Sequence, residues 1–148
     1  MDFTSQELTD LRGILTRVSF LQSLKMGELD ALLNEMEKRP FKRGETIINQ
    51  GDTGDLFYIV ASGKLNVYKS GFLSKKLINT MGPRTYFGEM ALLENAKRSA
   101  TIIGEMDGEL YTLSRDTFNQ VLLKNPHIAE LIKQAATTHH NRDRAREQ

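Results

Sequence analysis

Glycines recur at short intervals between residues 41 and 113 and separate short apolar segments from one another. They are Gly44, Gly51, Gly54, Gly63, Gly71, Gly82, Gly88, Gly104 and Gly108. The segments between them have the length and composition of strands: Thr46–Ile48, Leu56–Val60, Lys64–Tyr68, Lys76–Thr80, Ala100–Ile103 and Glu109–Leu113. Many short strands joined by glycine-containing turns favour a β-sandwich or barrel over βαβ units.

Helical patterns lie on both sides of this glycine-rich region. Residues 4–39 are predicted to be helical, because Thr4 and Glu7 have capping-box spacing and two apolar stripes follow. The second stripe stops before Pro40, since the residue before a proline disfavours helix. From Ser114 the helical pattern returns and is broken at Asn125-Pro126. We therefore predict an α+β, mainly β fold, with helices over 1–39, strands over 40–113 and helices over 114–148.

The composition narrows the possible functions. The chain has 148 residues, with 20 Lys and Arg against 19 Asp and Glu, a net charge of +1 that offers no footprint for nucleic acid or an anionic membrane. The absence of cysteine excludes disulfides, thiol nucleophiles and cysteine-ligated metals. No apolar run approaches about 18 residues and the first residues resemble no secretory signal, so we expect a soluble, cytoplasmic protein without a transmembrane segment.

One segment has the residues needed to bind a phosphorylated sugar. Gly88 precedes a stretch of good helix formers, Glu89–Asn95, and a helix start exposes backbone N–H groups to an anion. Glu89 can accept hydrogen bonds from a sugar hydroxyl, and Arg98 can give a forked contact to phosphate oxygens. The competing interpretation is a surface ion pair between Glu89 and Arg98, worth about 0–1 kcal/mol.

The order of these residues resembles a known family. Phe87-Gly88-Glu89-Met90-Ala91-Leu92-Leu93, with an arginine nine positions after the glutamate and then Ser-Ala-Thr, closely resembles the phosphate-binding cassette of cyclic nucleotide-binding domains, here residues 87–101. The resemblance also covers Gly44–Ile48, Gln50–Asp55, Phe57–Val60 and Ser62–Leu65. It runs in order from about Phe20 to Pro126.

This resemblance implies a fold and a set of ligand contacts. The fold would be an eight-stranded, jelly-roll-like β-roll with a short cassette helix and flanking N- and C-terminal helices. The amides around Gly88, Met90 and Ala91 would face the cyclic phosphate, Glu89 would accept from the ribose 2′-hydroxyl, and Arg98 would pair with a phosphate oxygen.

The resemblance also gives roles to residues of the Gly-Asp-x-Gly-Asp turn. Gly51, Gly54 and Gly63 would form tight turns. We read Asp52 and Asp55 as turn-capping carboxylates, because the remaining ligands of a calcium loop are missing.

Two positions bear on the choice between cyclic GMP and cyclic AMP. Ser99 follows Arg98, at the position where cyclic-AMP-selective members usually carry alanine. Its hydroxyl resembles the serine or threonine hydroxyls that reach the 2-amino group of guanine in cyclic-GMP-binding modules. Asn79 matches a base-edge contact of cyclic-GMP-dependent protein kinases. The resemblance therefore favours cyclic GMP, although asparagine also pairs with adenine and related channel domains bind both nucleotides. Lys97 replaces a proline of many relatives, which predicts a less rigid exit from the cassette.

We expect a regulatory module and not an enzyme. The only histidines are His127, His139 and His140. The sequence contains neither the phosphate-binding loop of ATPases nor the signature motifs of protein kinases. Ligand binding would move the C-terminal helices, with Ile128, Leu131 or Ile132 closing over the base and Gln134 or His139 as polar caps. The signal would pass to a kinase domain or another effector, in cis or in trans.

Three alternatives keep the fold but change the role. The first is a ligand-free scaffold or dimerisation domain, for which the stripe Leu8, Leu11, Leu15 and Val18 would supply the contact. The second is a transcription regulator truncated before its DNA-binding domain, and the third a channel-associated module. The charge balance disfavours direct contact of this chain with DNA.

Overall fold

The computed structural model describes residues 3–22, 24–71 and 73–134. The chain divides into two compact units. One is helical and combines the residues before Met36 with those after Arg115, and the other is the β unit Met36–Arg115.

The N-terminal part of the helical unit contains helices α1 (Ser5–Leu15) and α2 (Met26–Leu33), with a short 3-10 helix at Ser19–Leu21 between them. The predicted capping box forms: Thr4 Oγ1 accepts from the Glu7 N–H at 3.1 Å, and Glu7 Oε1 accepts from the Thr4 N–H at 3.0 Å. Arg12 of α1 donates to Asp30 of α2 at 2.7 Å and 3.1 Å, a two-point ion pair that fixes one helix against the other.

The C-terminal part contains α3 (Arg115–Lys124) and a helix α4 over residues 126–134. The break falls at Asn125, as the Asn-Pro pair predicts, and the Asn125 amide donates to the Val121 carbonyl at 2.8 Å. Every helix within these described ranges is too short or too polar to cross a bilayer.

The N-terminal helical region is shorter than predicted. Helix α2 ends at Leu33, and residues Glu37–Phe41, which include Pro40, form strand β1. This strand pairs with β8 (Thr101–Ser114) and lies at one edge of the sheet. An edge strand tolerates a proline because it needs hydrogen bonds on one side only. Pro40 therefore marks a sheet edge, and the prediction of helix up to residue 39 is wrong.

The β unit is an antiparallel array, as the glycine pattern predicts. Beside β1 and β8 it contains β2 (Thr46–Ile48), β3 (Thr53–Gly54), β4 (Leu56–Ser70), β5 (Lys75–Met81), β6 (Tyr86–Phe87) and β7 (Ala96–Lys97). Six strands form one sheet with the order β1-β8-β4-β5, in which β2 pairs with β8 and β6 with β4. A separate ribbon pairs β3 with β7. The predicted mainly β fold with flanking helices is confirmed.

Glycine does not end a strand at every position. The predicted strands Leu56–Val60 and Lys64–Tyr68 are two halves of β4, and β8 joins two predicted strands in the same way. Gly63 has φ of 84° and lies where the register between β4 and β8 shifts. A Cβ there would stand 2.7 Å from the Asp107 carbonyl oxygen. The tight turn predicted at Gly63 is therefore a bulge inside a continuous strand.

The core of the β unit is apolar. Its most buried members are Phe41, Val60, Leu65 and Leu110, each at most 2% exposed. The ring of Tyr58 stacks on that of Phe87, with the centroids 4.7 Å apart. This packing fixes the start of the cassette segment against the first residues of β4.

Candidate functional site

The cassette segment begins with a left-handed residue and a very short helix. Gly88 has φ of 78° and precedes a 3-10 helix at Glu89–Leu92, which is shorter than the helix predicted over Glu89–Asn95. Ala91 and Leu92 are buried and anchor this turn to the β unit. A Cβ at Gly88 would lie 2.7 Å from Arg98 Nη1 and 2.9 Å from the Leu56 carbonyl oxygen. Glycine is thus required here by backbone conformation and by space.

The guanidinium of Arg98 is held from several sides. Its Nη2 donates to the Leu56 carbonyl oxygen at 2.9 Å, and its central carbon lies 5.9 Å from the centroid of the Tyr58 ring. A Cβ on Gly54 would collide with the same guanidinium. Gly54 was predicted as a turn residue, but it lies in β3 without a positive φ and leaves room for Arg98.

The backbone at Arg98 is fixed by the Gly-Asp-x-Gly-Asp segment. The Arg98 N–H donates to the Asp52 carbonyl at 2.7 Å, and the Arg98 carbonyl accepts from the Gly51 N–H at 2.8 Å. Strands β3 and β7 continue this pairing, with Thr53 opposite Lys97. The segment therefore determines where the arginine leaves the cassette.

Asp52 and Asp55 take part in this arrangement through their backbones. The Asp52 carbonyl accepts from Arg98, and the Asp55 carbonyl accepts from the Arg115 N–H at 2.8 Å. Neither carboxylate caps a turn in the described part of the chain, so that prediction is wrong. The described residues also contain no group of three or more potential ligands that could hold a metal ion.

All eight residues proposed from the sequence line one cavity of about 410 Å³. They are Asn79, Gly88, Glu89, Met90, Ala91, Arg98, Ser99 and Ala100. The volume lies in the range typical of small-molecule sites. An apolar wall completes the cavity and was missed by sequence reasoning: Ile48, Val67, Met81 and Ile102. These four come from strands β2, β4, β5 and β8. In the sequence they are ordinary apolar strand residues, so no local signal marks them as part of a cavity.

Neither Arg98 nor Asn79 has all of its donors occupied by the described residues. Within the stretches that the structure describes, Arg98 makes no ion pair with Glu89, so the simple surface pair is not formed. Asn79 Oδ1 accepts from the Thr80 N–H at 2.9 Å. A backbone N–H can only donate, so the oxygen of the Asn79 amide must face it. The Asn79 NH₂ group then remains as a donor without a partner in the described residues.

The residues predicted to cap the ligand fall partly outside the described region. In α4, Ile128 and Ile132 are buried and Leu131 is partly buried. Gln134 is exposed and donates to Glu130 at 3.3 Å. His139 lies beyond the described residues.

Comparison with known proteins agrees with the fold and identifies the family. Residues 38–125 match the family model of the cyclic nucleotide-binding domain. The type II regulatory subunit of cAMP-dependent protein kinase from Drosophila melanogaster is 37% identical over 122 residues, which are 82% of this chain and 31% of that protein. The cGMP-dependent protein kinase of Plasmodium berghei is 34% identical over 121 residues, which are 82% of this chain and 14% of that protein.

A solved structure shows the same fold. The regulatory domain of Toxoplasma gondii PKA with cAMP superposes with a TM-score of 0.70 at 32% identity, covering 81% of this chain and 46% of that one. The aligned part amounts to less than a third of the length of the two curated relatives. The match to a ligand-binding domain confirms the prediction of a regulatory, non-catalytic chain. With its antiparallel β unit, its cassette turn and more than half of its length matched by the family model, the chain belongs to the cyclic nucleotide-binding domain family.

Proposed function

We propose that the cavity binds a cyclic nucleotide through Arg98 and Glu89 and that cyclic GMP is preferred over cyclic AMP. The observation that carries the proposal is the guanidinium of Arg98, held by the Leu56 carbonyl between Gly54 and Gly88 and not neutralised by Glu89. A cation held in this way at a cavity suits an anionic group, and its orientation is set before the ligand arrives.

The other lining residues supply the rest of a nucleotide's chemistry. Glu89 is partly buried and would accept from the ribose 2′-hydroxyl, and the backbone N–H groups at Gly88 and Met90 would face the phosphate. The Ala91 N–H donates to the Gly88 carbonyl at 3.1 Å, so it would have to leave this bond to reach the phosphate. The wall formed by Ile48, Val67, Met81 and Ile102 contacts the base. Hydrophobic walls with a few placed polar groups are typical of such sites.

The preference for guanine rests on Asn79 and Ser99. Because Asn79 Oδ1 already accepts from the Thr80 N–H, the NH₂ group is the end of this amide that has no partner within the described residues. A donor suits the O6 and N7 acceptors of guanine, whereas a two-point contact with adenine would also need the amide oxygen. Ser99 is exposed at the cavity and offers an acceptor to the 2-amino group that adenine lacks. Together these contacts favour cyclic GMP by roughly tenfold to a hundredfold.

The alternative ligand is cyclic AMP, which is present in the superposed Toxoplasma gondii structure. Calorimetric titration of the chain with both nucleotides separates the two. We expect Ser99→Ala to weaken cyclic GMP binding by about fivefold to tenfold and to leave cyclic AMP unchanged. An equal loss for both nucleotides would contradict the base assignment, and no binding of either at millimolar concentration would contradict the whole proposal.

The conformational change caused by the ligand would be transmitted through the start of α3. Arg115, its first residue, donates its backbone N–H to the Asp55 carbonyl, and its Nη1 contacts the Ala91 carbonyl oxygen at 3.5 Å. A movement of the cassette turn on ligand binding would therefore reach α3 directly. The relatives named above suggest a kinase as the effector.

A further inference from the structure

Positive charge is concentrated on one hairpin of the β unit. Residues 56–88 contain no Asp or Glu, whereas their cationic residues are Lys64, Lys69, Lys75, Lys76 and Arg84. Because the whole chain has a net charge of only +1, the remainder carries net negative charge. The near-neutral total therefore hides a strongly basic segment formed by β4 and β5.

The end of this hairpin brings lysines together without compensation. Lys69 of β4 lies directly opposite Lys76 of β5, and Ser70 lies opposite Lys75. Residues directly opposite in an antiparallel pair share a face, so Lys69 and Lys76 stand side by side, which is unfavourable for like charges. Lys75 is on the other face, with its Nζ 4.7 Å from the centroid of the Tyr68 ring. An anionic partner would relieve the repulsion between Lys69 and Lys76.

An exposed apolar side chain projects from the same end. Leu73 is 89% exposed, in a turn closed by a hydrogen bond from the Gly71 N–H to the Ser74 carbonyl at 2.8 Å. The adjacent end of β4 is fixed, because the Gln50 side chain accepts from the Ser70 N–H at 2.7 Å and donates to the Ser70 carbonyl at 3.1 Å. Leu73 is thus exposed in the turn that follows the paired ends of β4 and β5, and these ends carry Lys69, Lys75 and Lys76.

We propose that this hairpin tip, made of Lys69, Leu73, Lys75 and Lys76, binds the surface of an anionic phospholipid bilayer. The lysines would contact lipid phosphates and carboxylates while Leu73 enters the boundary between headgroups and acyl chains. Lysines on both faces of the ribbon and an apolar residue at its end fit a planar surface approached end-on. A polypeptide laid against one face would meet the lysines of that face only. This proposal does not depend on the nucleotide site.

Vesicle co-sedimentation of the 148-residue chain tests the charge part of the proposal. We expect binding to phosphatidylcholine vesicles with about 30% phosphatidylserine and none to phosphatidylcholine alone. Each lysine near such a surface raises the partition coefficient about fivefold. The double substitution Lys69→Gln with Lys76→Gln should therefore lower the partition coefficient about 25-fold. Lys64→Gln is the matched control, since this exposed lysine of β4 lies about 20 Å from the hairpin end. It should change binding by less than twofold.

Leu73→Ser tests insertion and separates a bilayer from an acidic polypeptide. If the leucine enters the bilayer, this variant should bind the anionic vesicles at least fivefold more weakly. Unchanged vesicle binding by Leu73→Ser would overturn the insertion, and absence of binding by the unmodified chain would overturn the proposal altogether. Binding to polyglutamate but not to vesicles would assign the tip to an acidic polypeptide instead and count against the bilayer. All variants should give the circular dichroism spectrum and the urea denaturation midpoint of the unmodified chain, which shows that they are folded.

Discussion

The guanidinium of Arg98 occupies a space that two glycines leave open. Gly88 is required there by its positive φ and by the nearby Leu56 carbonyl, whereas Gly54 lies in ordinary strand conformation and only avoids the arginine. These two requirements have different consequences for mutation. A change at Gly88 strains the backbone, but a change at Gly54 displaces a flexible side chain.

We therefore expect Gly54→Ala to separate binding from stability. The added Cβ would push the guanidinium of Arg98 away from the Leu56 carbonyl, so affinity for both cyclic nucleotides should fall at least tenfold. The free energy of unfolding should change by less than about 1 kcal/mol, because only the end of one side chain must move. Calorimetry and urea denaturation of the same preparation measure the two quantities.

Gly82→Ala is the matched control for this substitution. A Cβ at Gly82 meets nothing within 4 Å, and the residue has no positive φ. Its affinity for nucleotide should equal that of the unmodified chain. If Gly54→Ala bound both cyclic nucleotides with unaltered affinity, the space left by Gly54 would not be what orients the guanidinium of Arg98.

The sequence pattern locates the site but not the way the arginine is held. Seven of the eight proposed residues lie in one short contiguous segment, so motif spacing brings them together without knowledge of the fold. Leu56 and Gly54 lie beside the Arg98 guanidinium although they are more than 40 positions away in the sequence. The antiparallel pairing of β3 with β7 brings Gly54 there. Such long-range contacts leave no local periodicity to read.

At the level of elements, the errors of sequence reading have local physical causes. Apolar spacing from Leu29 to Met36 continues the helical stripe, yet the chain leaves the helix at Leu33 to form the edge strand β1. Glycine marks both turns and bulges, so the sequence alone divides β4 and β8 into more strands than exist. The sequence predicts the type of these elements better than their limits.

The ion pair between α1 and α2 makes stability depend on pH. The hydrogen bond from Arg12 lowers the pKa of Asp30 below its ordinary value of 3.8. A carboxylate with a lowered pKa in the folded state stabilises the fold above its unfolded pKa, and this contribution is lost as pH falls through the folded pKa. We expect Asp30→Asn to destabilise the chain at pH 7 and to have a smaller effect near pH 3.

Urea denaturation at the two pH values measures this difference. In an Arg12→Gln background the Asp30 carboxylate has lost its partner, so the added Asp30→Asn change should show little pH dependence. A pH-dependent effect of equal size in both backgrounds would mean that Arg12 is not its cause.

Arg115, the first residue of α3, contacts the Ala91 carbonyl of the cassette turn through its side chain. If this contact transmits ligand binding, saturating cyclic GMP should slow amide hydrogen exchange in residues 115–124 of the unmodified chain. Arg115→Ala should bind the nucleotide within about fivefold of the original affinity but lose that protection. Arg43→Ala, a change at an exposed arginine outside the cavity, is the control. Equal protection of α3 in Arg115→Ala would contradict this route.

At the scale of the whole molecule, both proposed sites lie in the β unit. The cavity uses strands β2, β4, β5 and β8 together with the cassette turn, whereas the basic hairpin tip uses the opposite end of β5 from Met81. Family membership accounts for the first of these features. The second follows from the distribution of charge along this particular chain.

The central claim is that Arg98 binds a cyclic phosphate in this cavity. Calorimetric titration of Arg98→Ala with cyclic GMP and cyclic AMP tests it most directly, with Arg43→Ala as the matched arginine control. We predict that Arg98→Ala weakens both nucleotides alike by about 2–5 kcal/mol, since the phosphate charge would remain buried without its partner. The Arg43→Ala control should bind as the unmodified chain does. Affinity retained by Arg98→Ala within threefold for either nucleotide would contradict the claim.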